Sequence, residues 1–278
     1  MGASDHAFAA SIADTYDRRL GPVVFAPYAR DLARRIDRCP PGPVLETACG
    51  TGILTRELRR WLCPSVPLIA TDINQGMLDY AQARLDGLEQ VQWQLADAAM
   101  LPFPARTFAA IACQFGMMFV RDLDAAFREA ARVLSEGGVL AFSVWDSLAS
   151  NPWCRVVDET LRGLFLEDPR HFFRVAFGLH ERRLLRRKLG VHGFDNVTLD
   201  AVPLAVCSSS AALLAVGQVE GTPLSASLRQ QGIATDRVVH AVTEALTLLG
   251  GERPFRSTMR ALVVTARKRS AATSPNAG

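Results

Sequence analysis

The stretch VLETACGTG, residues 44 to 52, places two glycines and a threonine directly behind a short apolar run. A glycine turn after a buried strand lets the backbone pass close to a bound group, because no Cβ stands in the way. In α/β sheets, ligands lie beyond the carboxyl ends of the strands, where such a turn sits. Gly50 and Gly52 therefore predict a site for a nucleotide or a nucleoside-like molecule.

Acidic residues follow three successive apolar runs. Glu46 ends the first, Asp72 ends the second in LIATDIN, and Asp97 follows the third in QLADAAMLPFP. Asp72 is placed to accept hydrogen bonds from both hydroxyls of a ribose, and Asp97 with the next backbone N–H can address an adenine edge. Each acid alone is equally typical of a helix cap or a turn. Three in a row favour an adenosine site, with Glu46 facing a cationic group or orienting the turn.

Phosphate-rich ligands fit this turn poorly. A Walker loop needs Gly-Lys followed by serine or threonine, but the two lysines, at 188 and 268, are far from any glycine turn. A dinucleotide fingerprint needs a third glycine three residues after Gly52, and Thr55 stands there instead. The sequence excludes a Walker-type triphosphatase, retains a nucleotide-dependent oxidoreductase as a weak alternative, and favours S-adenosylmethionine.

Period-2 and helical patterns alternate behind an amphipathic N-terminus. Helices are expected at 5–20 and 23–38, with Gly21-Pro22 as a break between them. Further helices are predicted at 53–63, 74–85 and 122–134, and strands at 43–48, 67–72, 91–95, 107–113 and 139–145. This alternation predicts an α/β fold: a doubly wound, Rossmann-like, mostly parallel seven-stranded sheet with N-terminal helices and a helical cap inserted between late strands.

The rest of the chain supplies the late strands. An irregular aromatic segment at 147–180 precedes a helix at 181–190, a strand at 194–206, mostly helical residues 208–250 with a break at 220–224, and a strand at 258–268. We interpret 1–278 as a single domain. Its parts are an N-terminal helical lid (1–39), a cofactor-binding core (40–146), late strands with cap insertions (147–268) and a disordered tail (269–278).

Composition and charge limit the kinds of partner that are expected for this chain. A net charge of +3 over 278 residues, and a basic cluster at 181–188 interleaved with leucines, indicate a solvated helix face and no nucleic-acid partner. The longest apolar stretch, 108–120, is too short to cross a bilayer, so no membrane partner is expected. Six scattered cysteines without paired spacing suit a reducing cytoplasm and no metal. Whether the chain forms a homo-oligomer stays open.

Four motifs together resemble a known family. VLETACGTG, ATDIN, ADAAMLPFPARTFAAIACQFGMMF and REAARVLSEGGVLAFSVW, within about residues 40 to 146, are similar to the class I S-adenosylmethionine-dependent methyltransferases, in the small-molecule branch called type 11. One departure is Ala48, where many members carry glycine. The resemblance implies that S-adenosylmethionine is bound, without a metal, by Tyr16, Glu46, Ala48, Gly50, Thr51, Gly52, Asp72, Ile73, Met77, Asp97, Ala98, Gln114 and Phe115.

Within that set, the resemblance divides the cofactor among four groups of residues. Glu46 and the glycine turn (Ala48, Gly50 and Gly52) line the methionine end. Asp72 and Ile73 hold the ribose, Asp97 and Ala98 hold the adenine, and Gln114 with Phe115 flanks the sulfonium. Tyr16 resembles the family's N-terminal tyrosine that folds over the cofactor.

Because the methyl group of S-adenosylmethionine is already activated, the protein mainly has to align the acceptor with it and exclude water. His171, in the aromatic insertion, is the candidate general base. An apolar acceptor pocket is expected from Met118, Trp145, Trp153 and Phe173, which favours a small flat or greasy acceptor and methylation on oxygen or nitrogen over carbon. A non-catalytic S-adenosylmethionine-binding regulator remains the alternative from another class.

Overall fold

A computed structural model describes residues 12–37, 39–164 and 171–270, with the backbone alone at 171 and 172. The predicted start of the first helix and most of the predicted disordered tail lie outside these residues. Within the described ranges, no helix is long and apolar enough to cross a membrane.

A seven-stranded sheet organises the molecule, in the order β3-β2-β1-β4-β5-β7-β6. All neighbouring strands are parallel except the pairs that involve β7, which runs antiparallel between β5 and β6. This topology confirms the predicted fold class. The strands are β1 Val44–Glu46, β2 Leu68–Asp72, β3 Val91–Leu95, β4 Phe108–Gln114, β5 Leu134–Trp145, β6 Phe194–Ser208 and β7 Phe255–Lys268.

Helices connect the strands and cover the sheet. Asn74 caps α4 by accepting a hydrogen bond from the Gly76 amide, and Asp122 caps α5 in the same way through Ala125. The helices are α1 Tyr16–Phe25, α2 Ala26–Arg35, α3 Ile53–Trp61, α4 Gln75–Arg84, α5 Leu123–Val133, α6 Pro152–Leu164, α7 His171–Ala176, α8 Arg182–Val191, α9 Ala211–Glu220, α10 Leu224–Gln230 and α11 Thr235–Gly250. Thus α6 and α7 follow β5, and α9 to α11 lie between β6 and β7, as the predicted cap requires.

The strand order reverses at β1. Glu46, its last residue, pairs with Ala70 of β2 on one side and with Ala112 of β4 on the other. In open parallel sheets a crevice opens at this reversal, outside the carboxyl ends of the strands. The turn that follows Glu46 therefore lies at the position where such folds bind ligands.

The predicted break at Gly21-Pro22 is wrong. Both residues lie inside α1, a ten-residue π-helix that continues directly into α2. Proline breaks an α-helix because its ring meets the carbonyl four residues back and it lacks an N–H. In the wider π-turn the bonding partner is five residues away, so the helix continues past Pro22. Residues 12–35 consequently form one continuous rod.

Candidate active site

The turn after β1 is built from left-handed backbone. Ala48, Gly50 and Gly52 have φ values of 53°, 55° and 80°. Left-handed backbone costs a residue with a Cβ roughly 1–2 kcal/mol, so a glycine would also suit position 48. Ala48 departs from the family pattern and bears this strain.

The two glycines are required for different reasons. A Cβ on Gly50 would meet nothing within 4 Å, so the space beside it is open to a ligand. A Cβ on Gly52 would lie 2.6 Å from Leu85 Cδ1 and 3.3 Å from Ala81 Cβ. The missing side chain at Gly52 thus serves packing against α4, and the contact of this residue with a cofactor stays a prediction.

Asp72 ties this turn to β2. Its Oδ2 accepts a hydrogen bond of 2.8 Å from the Gly50 amide, and its Oδ1 accepts one of 2.9 Å from the Asn74 amide. Burial raises the pKa of this carboxyl, although both amides oppose the change. Each oxygen keeps a second lone pair, so the carboxylate can still accept from ribose hydroxyls while it fixes the turn.

Glu46 lies below the turn and is 1% exposed. Burial is the main cause that raises its pKa to about 8; contacts with Thr55 oppose the change, and the negative charge of Asp72 adds to it. Its Oε2 is buried without a hydrogen-bond partner. A buried acceptor without a partner costs about 1–3 kcal/mol, which a cationic donor in the crevice would recover. The surroundings of Glu46 therefore fit an ammonium or sulfonium group.

Gln114 ends β4, on the other side of β1, and Phe115 follows it. The Gln114 amide nitrogen donates to the Phe25 carbonyl at 2.8 Å, and its Oε1 is buried without a partner. Phe115 has a φ of 52° and stacks on Trp145 with ring centroids 4.1 Å apart. Phe115 thus lies just beyond the end of β4 with its ring against Trp145, the last residue of β5.

The N-terminal helix is fastened across the turn. Tyr16 stacks on Phe25 at 4.5 Å, and burial raises the pKa of its hydroxyl. Asp17 is 7% exposed and accepts hydrogen bonds from Thr51 Oγ1 at 3.4 Å and from Arg84 Nε at 3.0 Å. Sequence reasoning placed Tyr16 and Thr51 here but missed Asp17 and Arg84. The adjacency of Asp17 to Tyr16 was the available signal.

The residues predicted to hold the adenosine part of the cofactor lie after β2 and β3. Asp97 follows β3 and accepts a hydrogen bond of 2.8 Å from the Ala99 amide, which closes a turn that includes Ala98. Ile73 is 68% exposed just after β2, and Met77 is half-buried on α4. These residues lie after neighbouring strands at one edge of the sheet, and their cofactor contacts stay predictions.

The predicted acceptor residues are buried, but only some share one surface. Trp145 and Phe173 both stack against Phe177. Met118 lies in the short helix Met117–Phe119 after β4, whereas Trp153 is on α6 with its indole nitrogen buried and unpartnered. His171 begins α7, but its side chain is outside the described residues, so its proposed role as a base is untested. Among the described residues, no group of three potential ligands could hold a metal ion.

Known proteins are similar to this chain in sequence. A family described as "Methyltransferase domain" matches residues 44–138. The ubiquinone/menaquinone biosynthesis C-methyltransferase UbiE of Hahella chejuensis is 41% identical over 109 residues, which cover 36% of this chain and 43% of that protein. The UbiE protein of Serratia proteamaculans is 30% identical over 168 residues, 56% of this chain and 67% of that protein.

A solved structure extends the likeness to the fold. The phosphoethanolamine N-methyltransferase 2 of Haemonchus contortus, in complex with phosphomonomethylethanolamine and S-adenosylhomocysteine, superposes with a TM-score of 0.60 at 13% identity, covering 93% of this chain and 57% of that one. The chain belongs to the class I S-adenosylmethionine-dependent methyltransferases, in the small-molecule group.

Proposed function

We propose that this protein transfers a methyl group from S-adenosylmethionine to a small, flat, largely apolar acceptor. The observation that carries the proposal is the glycine turn held between the buried acids Glu46 and Asp72, with a Glu46 oxygen that lacks a partner. This set of groups suits a ligand that joins a cationic sulfur to an adenosine. The matched part spans less than half of the Hahella relative, so substrate and activity rest on this chain's own site.

Each part of the crevice has a proposed task. The unpartnered Glu46 Oε2 accepts from the ammonium group at the methionine end, beside the open space at Gly50. Asp72 accepts from the ribose, and Asp97 with Ala98 addresses the adenine. Asp17 and Thr51 hold α1 over the turn, and Tyr16 covers the bound cofactor. The oxygen of Gln114 and the ring of Phe115 border the sulfonium.

Methyl transfer is an in-line displacement in which the sulfonium supplies a leaving group that is already activated. The chain's contribution is therefore to align the acceptor atom, which is worth up to about 7–11 kcal/mol in well-oriented systems, and to keep water out. Phe115 and Trp145, which stack 4.1 Å apart and are each less than a tenth exposed, serve as the apolar floor proposed for this purpose. An acceptor of ordinary acidity needs a base, and His171 keeps that proposed role.

The lining of the acceptor pocket bears on which atom receives the methyl group. The apolar aromatic lining favours a phenol, enol, carboxylate or ring nitrogen, and hence oxygen or nitrogen methylation. The relatives are named C-methyltransferases, which adds an activated ring carbon to the set. The names of the two relatives are a reason to include quinol-like rings among the acceptors in an assay.

Two measurements test the proposal. Calorimetry with S-adenosylmethionine and S-adenosylhomocysteine should show one site per chain. Incubation with methyl-labelled S-adenosylmethionine and a panel of phenols, quinols and nitrogen heterocycles should then yield a labelled product, whose NMR spectrum identifies the methylated atom. Failure to bind either nucleoside would refute the proposal. Binding without any transfer across the panel would favour the non-catalytic regulator.

A further inference from the structure

Two glycines of α9 bring the helical cap into close contact with the N-terminal helix. A Cβ on Gly217 would lie 2.8 Å from Arg19 Cβ and 2.8 Å from Leu20 Cδ2. A Cβ on Gly221, directly after α9, would lie 2.8 Å from the Tyr16 backbone nitrogen and 3.0 Å from its Cα. Real Cβ atoms essentially never come within 3.0 Å of such neighbours. Glycine therefore allows α9 to lie this close to α1.

The backbone conformation of α9 does not explain these glycines. Glycine is common after a helix because it adopts left-handed backbone, but Gly221 has a φ of −91°, which other residues adopt as well. Gly217 lies inside α9, where glycine destabilises a helix relative to alanine. A Cβ on Gly221 would also lie 2.6 Å from the Gly217 carbonyl oxygen, whereas the three atoms nearest a Cβ on Gly217 all belong to α1. Gly217 is thus explained by its contact with α1.

A different kind of contact attaches the N-terminal helix to α4. The Tyr80 hydroxyl donates to Asp14 Oδ1 at 3.2 Å, and Arg84 pairs with Asp17 at 3.0 Å. Long side chains such as these can follow a small movement of the helix by changing rotamer. The contact at Gly217 involves the backbone of α9 and a Cβ of α1, which cannot adjust in this way. The distance between α1 and the cap is therefore determined at α9.

A cavity lies next to this contact, beyond Tyr16. It has a volume of about 530 Å³ and separates the start of the N-terminal rod from the cap, with Ile12 and Thr15 on one side and Glu220 and Ser225 on the other. The backbone of Tyr16 therefore lies at the edge of the packed region. Space is available into which this end of the rod can move when α9 pushes it.

We propose that α9 supports the N-terminal helix and that Gly217 and Gly221 are positioning residues, which set the place of Tyr16 over the bound cofactor. The proposal rests on the proposed function, in which Tyr16 covers S-adenosylmethionine. The Tyr16 ring stacks on Phe25 at 4.5 Å, and Phe25 meets Phe115 edge-on at 5.8 Å. Because the Tyr16 backbone lies against α9, a displacement there moves its ring relative to the crevice.

Gly217→Ala tests the role of α9. In calorimetry on the full chain, this variant should bind S-adenosylhomocysteine roughly tenfold more weakly than the wild type, a difference of ~1.4 kcal/mol, because the added Cβ pushes α1 away from the cap. Gly163→Ala is the matched control. Gly163 lies near the end of α6, and a Cβ there would meet nothing within 4 Å, so the affinity should not change.

A double-mutant cycle with Tyr16→Ala separates positioning from a general loss of stability. In the Tyr16→Ala background, Gly217→Ala should change the affinity for S-adenosylhomocysteine by less than about twofold, since the residue that α9 positions is gone. Arg19→Gly, at an exposed residue of α1, removes the Cβ that meets the new alanine and should restore much of the affinity of Gly217→Ala. If Gly217→Ala does not fold, Leu20→Ala loosens the same contact without adding an atom, and it enters the same cycle with Tyr16→Ala.

The outcomes separate this inference from the proposed function. If the wild type binds S-adenosylhomocysteine and Gly217→Ala binds it equally well, or if the loss is the same with and without Tyr16, the positioning role of α9 is refuted and the proposed function stands. If the wild type does not bind S-adenosylhomocysteine, the proposed function is refuted and the positioning role falls with it.

Discussion

Arg84 on α4 and Asp17 on α1 form an ion pair of 3.0 Å that links the N-terminal helix to the helix after β2. Asp17 is almost fully buried and also accepts from Thr51 of the glycine turn. The three residues therefore connect the cover of the site, its turn and its flank. Any opening of α1 has to break the Arg84 contact and expose the Asp17 carboxylate.

Replacing Arg84 should loosen this connection. Arg84→Ala leaves the buried carboxylate of Asp17 with the weaker Thr51 contact alone, which should lower the free energy of unfolding by about 1–3 kcal/mol. Urea denaturation measures the change. Arg18→Ala is the control, since the Arg18–Asp14 pair on the same rod is exposed and exposed pairs contribute at most about 1 kcal/mol. Equal effects of the two variants would contradict the role assigned to Asp17.

Glu46 should give the cofactor-free protein a characteristic pH dependence. Its pKa rises from 4.5 to about 8 on folding, so the folded state holds a proton that the unfolded state has lost. The contribution to stability is complete below about pH 4.5 and is lost as the pH rises through about 8. Thermal melts of the wild type should show this fall, and melts of Glu46→Gln should lack it. Glu136→Gln, at an exposed residue, should follow the wild type.

The two glycines of the turn should respond differently to alanine. Gly50→Ala meets no neighbouring atom, so it should cost folding only the left-handed strain of about 1–2 kcal/mol while it weakens nucleoside binding. Gly52→Ala adds contacts with Leu85 and Ala81, and overpacking typically costs a further ~1–3 kcal/mol. In a double-mutant cycle measured by denaturation, Leu85→Ala should relieve part of the Gly52→Ala penalty. Strict additivity would count against the packing explanation.

Asp72 should matter to nucleoside affinity. Asp72→Ala removes the proposed ribose acceptor and the anchor of the Gly50 amide together, and should weaken S-adenosylhomocysteine binding by about 1.5–3 kcal/mol, as expected for charge-assisted hydrogen bonds. Calorimetry gives the value. Asp79→Ala serves as the comparison, because Asp79 is on α4 and bonds only to exposed Gln75 among the contacts described for it. An Asp72→Ala protein with wild-type affinity would exclude the ribose assignment.

Much of the fold could be predicted because local patterns determine it. Apolar runs and capping residues such as Asn74 marked the strands and helices to within a few residues, and the glycine turn fell at the expected switch point. The break at Gly21-Pro22 was predicted on the assumption of α-helical geometry. In a π-turn each backbone amide bonds to a different carbonyl than in an α-helix. Neither Gly21 nor Pro22 indicates from the sequence which of the two helix types forms.

The site was harder to predict wherever it depended on distant partners. Asp17 reads as one more polar residue of a surface helix, and its partner Arg84 is 67 positions away. Gly52 was expected to make room for a ligand, but Leu85 explains the missing side chain. Trp145 of β5 stacks between Phe115, which follows β4, and Phe177, which follows α7. This stacking depends on ring orientations that composition does not encode.

The π-helical stretch Tyr16–Phe25 sets the rotational phase between the tyrosine at its start and the rod that follows. A residue advances an α-helix by roughly 100° about its axis. Shortening the stretch by one position would let it relax to ordinary winding and would swing Tyr16 and Asp17 away from the crevice. This segment should therefore tolerate substitutions better than deletions.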